Sequence, residues 1–174
     1  MITMNQEPAK AAINAYFSSE AAEMYCILGG GALLAVCAAL LWVIFSDRFS
    51  TALAVTLLVV ALLLAGTGLS LLIRDGQNRQ ALVATLAGDN PIVIEHTLAT
   101  EKARMQQVAN NYQNLRYTFA VFALIGALLI AFTHHPTTHA IAVGLLIFAT
   151  AGVVIDRYSE ARALVYLQDL QRQP

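Results

Sequence analysis

Residues 51–73 read TALAVTLLVVALLLAGTGLSLLI, without one charged side chain. As a helix rising about 1.5 Å per residue, this stretch crosses a hydrocarbon core about 30 Å thick. Working outward, residues 25–45 form a second uncharged block before it, and residues 117–133 and 140–155 form two more after it. The last two are short for a span, but Ser, Thr and aromatic neighbours extend them. Arg116 and Arg157 at their edges can reach back to the interface along their aliphatic stems. A re-entrant hairpin made by the last two blocks is the alternative to two full spans.

Composition agrees with this pattern. Of 174 residues, 58% are hydrophobic and 12% charged, about half the charged share of roughly 25% usual in soluble domains. Mean hydropathy is +0.63. A soluble domain of this size has too little interior to hide so much apolar surface. Net charge is −1, with no basic stripe, which excludes a nucleic-acid partner. Cys26 and Cys37 share the first block, about 16 Å apart along a helix axis, so they cannot bridge within it. Residues 1–23 are expected to be retained rather than removed as a signal peptide, because Glu20 and Glu23 stand where a basic region would be required.

Basic residues set the expected orientation. With four spans, every Lys and Arg except Arg48 falls on one side, in the N-terminal segment, the central segment or the C-terminal tail. The positive-inside rule then places both termini in the cytoplasm, with the bilayer as the first partner. The fold class is all-α, a polytopic membrane protein of four transmembrane helices with a cytoplasmic helical hairpin and C-terminal helical tail. The expected divisions are an N-terminal amphipathic segment at 1–23, two spans at 24–73, the hairpin at 74–116, two spans at 117–156 and the tail at 157–174.

The hairpin turns at Gly88-Asp89-Asn90-Pro91, where Gly88 suits a helix C′ position and Asn90 an N-cap before Pro91. Its first arm continues the second block, loosened at Gly76. Its second arm carries Ile94, Leu98, Glu101, Met105, Val108, Tyr112, Leu115, Phe119 and Phe122, spaced alternately by four and three. This stripe crosses the membrane boundary in phase, so one continuous helix is expected. It is either internal core or a docking surface for another protein. As core, it would form a three-helix bundle with Leu82, Val83 and Leu86 of the first arm and with Tyr158, Ala161, Leu164, Val165 and Leu167 of the tail. Ala9, Ala12, Ile13, Tyr16 and Phe17 mark an amphipathic helix lying on the membrane and broken at Ser18-Ser19.

Signatures of catalysis are missing. There is no HExxH, GxSxG or P-loop, and no catalytic, cofactor or metal residue is nominated. His134, His135 and His139 are a poor ligand set, because Pro136 interrupts them and no carboxylate or Cys is near. No ionisable residue lies inside the four blocks, which argues against an ion-coupled transporter. Gly29-Gly30-Gly31, and Ala61, Ala65, Gly66 and Ser70, form small-residue faces expected to pack against helices. In the tail, Glu160 is expected to pair with Arg157, Arg116 or Arg104, and Asp156 with some basic residue. The candidate partner-binding residues are Glu101, Met105, Tyr112, Arg116, Asp156, Arg157 and Glu160.

The four spans, their orientation and the tail IDRYSEARALVYLQ (155–168) resemble the small four-span bacterial inner-membrane immunity proteins that act against pore-forming toxins. The resemblance implies a non-enzymatic protein whose small-residue faces recognise a toxin's membrane-inserted helices. Two other readings stand beside it. One is an accessory subunit of a membrane complex, docked through the hairpin, and the other is an oligomeric channel built from several copies.

Overall fold

The computed structural model describes residues 7–88 and 90–172. Four helices follow one another: α1 (Glu7–Ile44), α2 (Arg48–Leu86), α3 (Pro91–Phe132) and α4 (Pro136–Gln171). All four are long and apolar enough to cross a membrane. The shortest has 36 residues and so extends about 54 Å, well beyond the roughly 30 Å of hydrocarbon. Each helix therefore has an apolar half and a polar half. Short connections make the helices alternate in direction, and the four apolar halves gather at the end holding the 45–47 and 133–135 connections. Tyr25, Tyr117 and Tyr158 are exposed at one boundary of the apolar half, and Trp42, Phe45 and Phe132 at the other, as interfacial aromatic belts require. The chain is an all-α membrane protein of four spans.

Local chemistry explains the helix ends. Asp47 accepts from the Ser50 amide at 3.0 Å and the Ser50 hydroxyl at 2.6 Å to start α2, and these bonds hold its carboxyl below the usual range. Asn90 accepts from the amides of Ile92 and Val93, with Pro91 next, as the sequence suggests. Gly88 departs from expectation. No described glycine has positive φ, and the α2 end tightens instead, with the Gly88 amide donating to the Thr85 carbonyl at 3.1 Å. Asp89 of the expected turn lies outside the described residues. Gly76 leaves α2 unbroken.

The two ends of the chain require larger corrections. α1 runs straight through Ser18 and Ser19, whose hydroxyls fold back onto the Ala15 and Tyr16 carbonyls at 3.0 and 2.7 Å. Ala9, Ile13 and Phe17 are buried as a face, but against other helices rather than a membrane surface. The polar half is thus a four-helix bundle, one helix more than expected. Its core joins those residues to Leu82 and Leu86 of α2, Ile94, Leu98, Met105 and Tyr112 of α3, and Ala163, Tyr166, Leu167 and Leu170 of α4. The tail's buried face is rotated from the expected one. Tyr158, Leu164 and Val165 are exposed, while Asp156 and Ala163 turn inward. The α3 stripe stays inward along its length except at Leu115, which is exposed; Phe119 and Phe122 pack edge-to-face on Phe148.

In the apolar half, α1 pairs with α2, α3 with α4, and α2 with α4 between the two hairpins. Glycines permit these approaches. A Cβ on Gly144 of α4 would strike the Thr56 side chain of α2, and one on Gly152 would strike the Phe119 ring of α3. The α1–α4 contact is much lighter.

Candidate interaction site

A polar layer lies where the bundle leaves its apolar half, and all four helices supply it. Glu20 and Glu23 come from α1, Asp75 from α2, Tyr112 and Arg116 from α3, and Asp156, Ser159, Glu160 and Arg162 from α4. Arg162 lies between the two α1 carboxylates. Its Nη2 is 3.0 Å from Glu20 Oε1 and also ion-pairs with Glu23, whose carboxylate accepts from the Ser159 hydroxyl at 3.1 and 3.0 Å. Burial nevertheless holds the Glu20 carboxyl above its ordinary range, outweighing Arg162. Arg116 donates to Glu160 at 2.5 Å and Arg157 does so at 3.1 Å, and the Arg116 bond holds Glu160 below the carboxylate range. Tyr112 is pushed above the ordinary phenol value, first by burial and then by the negative charge of Glu20, Asp156, Glu160 and Asp75. Carboxylates from three helices thus converge on one phenol of the fourth.

Deeper in the polar half, Glu101 is 5% exposed and takes Arg104 of its own helix through both oxygens, at 2.7 and 2.6 Å. The Tyr166 hydroxyl adds a bond at 3.3 Å, and the Tyr166 ring stacks on Tyr16 at 4.3 Å. Arg104 therefore serves Glu101, and Glu160 goes to Arg116.

The structure separates the sequence candidates by accessibility. Glu101, Met105, Tyr112 and Asp156 are buried, so a partner reaches them only by opening the bundle. Arg116 and Glu160 are partly buried against each other, and Arg157 is largely exposed. Asp156 makes no ion pair among the described residues. Its Oδ2 is buried without a hydrogen-bond partner, against the expectation of a basic one. Among the described residues no three His, Cys, Asp or Glu side chains gather as a metal-ligand set, and His139 instead meets the Thr133 carbonyl at 2.6 Å.

One accessible concave surface lies elsewhere, where α1 and α4 diverge. A groove of about 660 Å³ runs between them from the polar layer into the apolar half. Ala22, Cys26 and Gly30, at every fourth residue, stand on its α1 side between Ile27, Leu33 and Leu34; Ala151, Val154 and Ile155 line the α4 side. Cys26 and Gly30 are exposed, and a Cβ on Gly30 would meet nothing within 4 Å. The glycine triplet therefore divides its roles. Gly31 packs against the Ala61 carbonyl of α2, 3.2 Å from where a Cβ would sit, while Gly29 and Gly30 are open. The i, i+4 series of small residues was readable in the sequence. That it faces a groove was not, since nothing in an all-apolar helix marks which side is covered.

No family model, curated protein or solved structure matches this chain.

Proposed function

We propose that this chain is a non-enzymatic interaction protein of the bacterial inner membrane that neutralises a membrane-inserting, pore-forming toxin. The single observation that supports this best is the α1/α4 groove. It reaches membrane depth, and its α1 side includes the small residues Ala22, Cys26 and Gly30. Small residues at that spacing let a second helix backbone approach closely, and close packing is what drives association where lipid is as apolar as the side chains. The long α1, braced at its polar end by Arg162, gives the groove a fixed wall. Both termini and the polar half are assigned to the cytoplasm, from the basic residues concentrated there.

The test is survival. Cells expressing the chain are challenged with membrane-inserting toxins encoded beside it, and membrane potential is recorded. Protection with potential maintained, lost on Gly30→Leu while expression holds, is the expected result. Death at full expression against every such toxin rejects the reading.

A further inference from the structure

We infer that the α1/α4 groove is also a lipid site, holding one phospholipid whose head carries a primary ammonium. From Cys26 to Leu34 the groove follows α1 for about 12 Å, close to the roughly 15 Å thickness of one hydrocarbon leaflet. The groove also turns polar at the right level. Its lining changes from Ile147, Ala151 and Ile155 to Ser19, Glu23 and Arg162 at the polar layer. An acyl chain laid along the apolar stretch therefore brings its head group to those three side chains.

Their charges select the head. Arg162, part of the groove lining, uses Nε and Nη2 on Glu20 and Nη2 on Glu23, while its Nη1 donates to no described residue and is the donor a phosphate oxygen would take. Glu23 stands beside Arg162 in the groove lining, so the mouth presents one carboxylate and one guanidinium together. A head bringing an ammonium as well as a phosphate complements it, and a purely anionic head does not. An ammonium with three donors can bond the Glu23 carboxylate, whereas a quaternary one cannot donate at all. Phosphatidylethanolamine has this chemistry. This inference stands without any protein partner; a docking toxin helix would displace the lipid from the same wall.

The experiment uses the full chain in mild detergent, stripped of lipid and offered dioleoylphosphatidylethanolamine, dioleoylphosphatidylcholine or dioleoylphosphatidylglycerol, with adducts read by native mass spectrometry. One phosphatidylethanolamine per chain is expected, retained roughly tenfold better than the others, the scale of one charge-assisted hydrogen bond. Gly30→Leu fills the groove and should abolish the preference. Gly29→Leu, open to its surroundings but outside the groove lining, should not. Glu23→Gln should reduce the preference for the ammonium head while the thermal midpoint is followed separately. Equal retention of all three lipids, or an unchanged adduct in Gly30→Leu, overturns the inference. A dimer that Gly30→Leu dissolves would overturn it in favour of a second copy as the occupant.

Discussion

At the scale of single residues, Asp156 and Arg116 behave oppositely. The Asp156 carboxylate is buried with an oxygen that no group satisfies. An unmet buried polar atom costs about 1–3 kcal/mol, so Asp156→Asn, which removes the charge and keeps the shape, should raise stability by about 1 kcal/mol in detergent unfolding. Arg116→Ala should lower it by about 2 kcal/mol, because Glu160 loses its main partner in a half-buried setting. Proton linkage gives a third expectation. Glu160 titrates lower folded than unfolded, so its contribution is complete above the ordinary glutamate value of about 4.3 and is lost as pH falls through its lowered value. Glu20, raised by burial, works in reverse, and its contribution fades as pH rises through its raised value. Glu160→Gln should therefore flatten the acid limb of a stability–pH curve and leave the Glu20 limb in place. Sequence reading paired Glu160 with Arg116 among other partners, because charges of opposite sign near one membrane edge had few alternatives. It could not foresee the solitary Asp156, whose surroundings depend on the rotation of α4.

At the scale of elements, glycines show which helix faces are in contact. Gly152→Val forces Phe119 aside and should destabilise by about 1–3 kcal/mol, the usual range for overpacking. Gly30→Ala meets open space and should be neutral, or stabilising by up to about 1 kcal/mol through helix propensity. Thermal unfolding of both variants checks the contrast. The α3 stripe was legible from Ile94 to Tyr112 because the polar half has water outside and apolar side chains inside, so the pattern records burial directly. Beyond Leu115 that contrast disappears. In the bilayer half the lipid-facing and helix-facing sides are equally apolar, so the pattern no longer tells Phe119 and Phe122, packed on Phe148, from exposed neighbours such as Val121 and Leu124. The tail misled for another reason. Its interior face includes Asp156, Ser159 and Glu160, so a search for apolar periodicity rotated it onto Tyr158, Leu164 and Val165.

At the scale of the whole molecule, two hairpins meet mainly through α2 and α4, and the lighter α1–α4 seam is held at one level by Arg162. Arg162→Ala should loosen α1 at the level of Glu20 and Glu23. Hydrogen exchange should rise around those two residues and change little in the α3 core around Met105. The four-span layout was fully legible, because bilayer thickness and charge placement constrain any chain. The groove was not, since it arises from the angle between two hairpins, and no residue pattern reports that angle.

The most direct test uses the chain's own cysteines. Cys26 is exposed on the groove wall, while Cys37 is half-buried beside α2. Single-cysteine forms are treated with a lipid-soluble thiol crosslinker in membranes that also hold a membrane-inserting toxin found in the survival test. The account predicts a crosslink to that toxin from Cys26 and none from Cys37. Protection that persists with no crosslink from Cys26, or with one from Cys37 alone, would contradict the groove as the docking site.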